Sequence, residues 1–195
     1  MPLPVPNSSA ARRLRAAADH TGALENALPR AYREEGVPGL AELAGHADAI
    51  DAHRRAVLDT AVVLSAGPHP ATAERAEVRA LAAAGEQLAR ASASIGRAAA
   101  MAARLHEVEG VGGPTADETR ERATRHVNHS LSHTRIALRD AMEQLRTEAT
   151  RLSLTASAGR GPAALAQSAS RGARIIAAPP PLPADLPQRA AGRRR

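Results

Sequence analysis

Apolar residues recur along this chain every three or four positions, the spacing of one face of an α-helix and not the alternation of a half-buried strand. Leu14, Ala18, Thr21, Leu28 and Tyr32 mark a first helix. It opens at Ser8 or Ser9, both good N-caps, and stops before Pro29, which lacks the amide hydrogen a helix interior requires. After the connector EEGVPG at 34–39, a second helix spans Leu40 to Ser65, with Leu43, Ala47, Ile50, Val57, Ala61 and Leu64 along one face. AGPHP at 66–70 ends it, with Pro70 suited to the first turn of the next helix.

The second half carries the clearest pattern. Leu81, Leu88, Ile95 and Ala102 fall seven apart, flanked by Ala84, Ala91, Ala98 and Leu105, which is coiled-coil spacing within a helix over about 71–109. GVGG at 110–113 then forces a reversal, with Gly110 placed for a left-handed C-terminal cap and Val111 as its apolar neighbour. TADE at 115–118 reads as a Thr-x-x-Glu capping box. It opens a fourth helix to about Thr155, whose stripe is Val127, Leu131, Leu138, Ala141, Met142, Leu145, Ala149 and Leu152. Each of these two helices would be ~60 Å long at ~1.5 Å per residue. So short a link between them predicts an antiparallel hairpin.

The expected fold is all-α: an elongated antiparallel helical bundle over residues 8–157, built around a long αα-hairpin at 71–155. Leu81, Leu88, Ile95, Leu131, Leu138, Leu145 and Leu152 form its helix–helix seam. Residues 1–7 (MPLPVPN) read as a disordered, Pro-punctuated leader. Residues 158–195 read as a flexible tail, Pro-rich and then Arg-rich, expected to be disordered.

Composition limits how firmly such a bundle can hold. Apolar residues make up 44% of the chain, but Leu, Ile, Val and Phe number only 33 of 195, and Tyr32 is the sole aromatic. Burial of large apolar groups is the main stabilising term. Ala supplies helix propensity at almost no side-chain entropy cost. The combination predicts helices of modest tertiary stability, helped by a partner or by self-association.

Charge and missing residue types remove whole classes of chemistry. All 26 basic residues are Arg, so a phosphate-binding loop with its Lys and a Schiff-base lysine are both excluded. Cysteine is absent, which excludes thiol nucleophiles, disulfides and Cys-ligated zinc. The formal charge is +6, and residues 1–159 hold 19 Arg against 19 acids, so the excess sits in the tail, where seven Arg face only Asp185. No stretch reaches the ~20 apolar residues of a membrane helix, and no apolar segment follows the arginines of ARRLRAAADH. The reading is a cytoplasmic protein that does not enter membranes.

RHVNHSLSH at 125–133 is the one cluster that invites a metal. His129 and His133, four apart, form a weak candidate pair for a divalent ion. Zinc normally takes three or four protein ligands, and His126 lies too far along the axis to complete the set. All three fall roughly 100° to 160° from the centre of the apolar stripe on a ~100° per residue wheel, so they read as a solvated face. A pH-sensing role follows only from the charge such a face gains in mild acid. His46 and His53 sit at the edge of the second helix's apolar face, where a histidine is usually hydrogen-bonded to a neighbouring helix. His106-Glu107 starts a metalloprotease pattern that fails because position 110 is Gly, and no nucleophile-elbow Gly-x-Ser-x-Gly occurs.

The sequence therefore points to a non-enzymatic module with no catalytic residues and no cofactor. Its partner would be another protein, or a second copy forming a homo-oligomer along the Ala/Leu stripes. The alternative is sequence-nonspecific binding of duplex nucleic acid, or another acidic surface, through Arg171, Arg174, Arg189, Arg193, Arg194 and Arg195. Without an aromatic in the tail, base stacking on single strands is disfavoured.

Overall fold

The computed structural model describes residues 6–30, 36–67 and 71–158. They form four helices: α1 (Pro6–Ala27), α2 (Leu40–Ser65), α3 (Thr72–Glu107) and α4 (Pro114–Ala158). No strand occurs among the described residues, and the fold is the expected all-α bundle. The second helix has the bounds its apolar face predicts. Tyr32, Pro70 and the whole of 159–195 lie outside the described residues.

Two local expectations are corrected. The helix expected from Ser8 or Ser9 begins at Pro6, within the segment read as a leader. A first-turn proline costs no hydrogen bond, because the first four amides of any helix lack intrahelical partners. The TADE capping box does not form either. The fourth helix opens at Pro114, and the Gly113 carbonyl accepts its first backbone bond from Asp117 at 3.1 Å. Thr115 is thus already inside the helix, and Glu118 instead accepts Arg122 at 2.7 Å. A glutamate does cap the third helix, where Glu74 accepts the Ala71 amide at 2.9 Å. The reversal between α3 and α4 follows the sequence: Gly110 (φ 76°) and Gly113 (φ 115°) adopt the left-handed region that side chains avoid.

Side-chain pairs fix the topology as up-down-up-down. Thr21 meets His53, and Arg13 shares a cavity with Thr60, so α1 and α2 run antiparallel. Asp51 accepts the Ser92 hydroxyl at 2.9 Å while Leu58 lies on Gly85, so α2 and α3 do the same. That hydroxyl, then Arg54, holds the Asp51 carboxyl below the usual carboxylate range. Residues 76–80 of α3 share a cleft with 140–151 of α4, and 97–104 share one with 119–130, which is the antiparallel hairpin. Finally α1 returns against α4, with Glu25 on Arg139 and Asp19 on Arg146. Arg135 closes the end of α1 by donating to the carbonyls of Leu28 and Pro29 at 2.7 and 3.0 Å. These carbonyls would otherwise stay unpaired at a helix C-terminus.

The core joins all four helices and is largely Ala. Small side chains let helices approach closely, and Gly85 takes this furthest: a Cβ there would stand 2.6 Å from Leu58 Cδ2. Among the described residues one carboxylate is fully buried, six residues into α3. Glu77 is 0% exposed and receives the Arg13 guanidinium on both carboxylate oxygens, at 2.7 and 2.6 Å. Arg13 snorkels outward, its pKa raised chiefly by that hydrogen bond. This fork ties α1 across the bundle to α3 and fixes their register.

Candidate functional site

The seven seam residues are buried against the chain's own core, none more than 4% exposed. They hold the hairpin together and present no surface. The six tail arginines (Arg171, Arg174, Arg189, Arg193, Arg194 and Arg195) lie outside the described residues.

The histidine cluster is on the exposed face, as its helical angle predicts. His129 and His133 meet edge to face, their ring centroids 4.3 Å apart. No group of three His, Cys, Asp or Glu side chains among the described residues could hold a metal ion. His46 is half-buried, whereas His53 is buried.

Among the described residues, His53 is a histidine buried between two helices. Burial, then the charge of His20 whose ring lies 4.4 Å away, pushes its pKa down to about 4. His53 Nε2 stands 3.0 Å from Thr21 Oγ1, the contact of a base with a hydroxyl nucleophile. Thr21 Oγ1 also donates to the Ala17 carbonyl at 2.9 Å. The pair links α1 to α2, and Thr21 is 0% exposed.

A second surface emerges only when the hairpin is assembled. Residues 87–105 of α3 contain Arg90, Arg97 and Arg104 and no acid. Residues 122–139 of α4 contain Arg122, Arg125, Arg135, Arg139, His126, His129 and His133, again with no acid. The antiparallel register sets these two stretches side by side. Arg90, Arg97 and Arg104 repeat every seven residues, so they stand in one exposed column at ~10.5 Å intervals. The margins of this belt are neutralised: Arg90 holds Glu86 at 2.6 Å, Arg122 holds Glu118 at 2.7 Å, and Arg139 holds Glu25. Its centre is not. Among the described residues, Arg97 donates a hydrogen bond to the Ser94 hydroxyl and makes no ion pair, and neither do Arg104, Arg125 and His126.

Comparison with protein-family models, curated proteins and solved structures finds no significant match. The chemistry must therefore be read from this chain alone. Counting charge over residues 1–159 hides the belt, because acids elsewhere cancel it. The readable signal was the pair of acid-free windows, whose significance depends on the hairpin register that brings them level.

Proposed function

We propose that the chain is a non-enzymatic helical binding module whose partner is duplex nucleic acid, held through its phosphates without sequence readout. The observation that carries this reading is the acid-free belt shared by α3 and α4. Arginine on phosphate gives affinity that carries no base information. The bundle then contributes to binding beside the Arg-rich segment that follows it, rather than serving only as its platform.

A protein partner or a second copy is the other reading. With the Leu seam buried, its support is the exposure of Val62, Val63 and Leu154, each at 65% or more.

The test is duplex DNA binding by the full chain and by a chain ending at residue 159, across a salt series. Both should bind at low salt, the shorter one with a shallower dependence on salt because fewer phosphates are neutralised. Binding lost entirely on shortening would assign it to the tail alone. If neither binds, the duplex reading fails, and sedimentation of the full chain across concentration tests the second copy instead.

A further inference from the structure

We infer that a cleft between α3 and α4, in the half of the hairpin toward their connecting turn, is a binding site for a phosphate-type oxyanion. It has a volume of about 430 Å³, within the range of small-molecule sites. Arg97 and Arg104 come from one wall, Arg122 and His126 from the other, and no carboxylate lines it. Three guanidinium groups therefore border this space from two helices; Arg122 also holds Glu118 at 2.7 Å, while Arg97 and Arg104 have no carboxylate partner among the described residues.

The floor sharpens the effect. Met101 is half-buried and Ala123 is 4% exposed, so an anion would sit against apolar atoms. Electrostatic attraction is less screened there than in open water. Guanidinium groups suit the purpose because their planar forks match the oxygens of phosphate two at a time. Two of the three need little rearrangement: Arg104 is unpaired among the described residues, and Arg97 gives up one hydroxyl contact.

The neighbouring clefts make the contrast. Further along the same hairpin, a cleft of about 730 Å³ is lined by Asp140, Glu143 and Glu148 beside Arg79 and Arg151, so it would repel an anion. At the turn, Arg120 is already committed to Asp117 and to the carbonyls of Val108 and Val111. Only the cleft holding Arg97 and Arg104 combines several lining cations with the absence of a lining acid among these three.

The site does not require that duplexes bind, so the two readings can be separated. Thermal unfolding of the full chain, followed by circular dichroism, is measured against inorganic phosphate at constant ionic strength maintained with chloride. The expected result is a rise in Tm that saturates. Arg97→Gln/Arg104→Gln should shift the midpoint of that rise at least ~10-fold, equivalent to ~1.4 kcal/mol. Arg90→Gln/Arg125→Gln, which removes the same charge from the belt outside the cleft, should leave the midpoint in place. A rise that never saturates, or one equally weakened by both variants, overturns the site. All four positions are exposed, and the circular dichroism spectrum verifies folding of each variant.

A short duplex added to phosphate-saturated protein then identifies the source of the oxyanion. Displacement assigns the cleft to backbone phosphate, and simultaneous binding assigns it to a free anion; each keeps the site. Saturable phosphate binding without duplex binding would end the duplex reading and leave the site standing. Duplex binding with no saturable phosphate effect would do the reverse.

Discussion

His53 shows how one side chain couples the bundle to pH. Its folded pKa of about 4 lies below the ordinary 6.5, so the folded chain binds fewer protons there than the unfolded chain. By linkage, stability from this group is present above the unfolded value and is lost as pH falls through 6.5 toward 4. After allowing for solvent screening, the loss should be about 2 kcal/mol. Urea unfolding at pH ~7 and pH ~4.5 checks it: His53→Gln should lose less stability on acidification than the parent chain. The sequence placed His53 at a helix edge and implied a neighbouring hydrogen bond. It could not say that Thr21 would be the partner, because that depends on how α1 and α2 meet.

Within α3, two glycines occupy the same kind of helix and should respond oppositely. Gly85 is buried, and a side chain there runs into Leu58; Gly96 is exposed, with open space where a Cβ would go. Gly96→Ala should stabilise by about 0.5–1 kcal/mol, the gain from restricting the unfolded backbone. Gly85→Val should destabilise by about 2 kcal/mol, since Leu58 must move within a packed interface. Chemical unfolding of the two variants tests both signs together. Helix bounds were legible because the apolar period and the prolines are local signals. Caps were less so: TADE satisfies the capping pattern by composition, but Pro114 before it moved the start of the helix and left Thr115 two positions inside the cap. Gly85 carried no sequence-level mark that α2 would approach it.

For the molecule as a whole, what matters is where charge collects and not its sum. Residues 1–159 are neutral by count, yet the hairpin brings together two acid-free stretches with seven arginines. Of these, Arg90, Arg122 and Arg139 pair with acids outside them, and Arg97, Arg104 and Arg125 have no ion pair with a described residue. Raising salt from ~10 mM to ~100 mM shortens the Debye length from ~30 Å to ~10 Å. Mutual repulsion in the belt should then weaken, and Tm should rise by a few degrees. A fall in Tm over the same range would mean that the surface ion pairs outweigh the belt. The hairpin and its seam were legible from the heptads, whereas the belt required the register between two helices.

The unequal lengths of the helices have one more consequence. The α1 helix ends level with Arg135, so on the turn side of that level the described helices of the bundle number three, and beyond it four. Amide hydrogens should therefore exchange with solvent along a gradient, slowest around Leu138 to Leu152 and fastest toward the turn. The proposed oxyanion cleft lies at the faster end. Occupying it would slow exchange where the protein breathes most, and a deuterium label would reveal the ligand by what it stops moving.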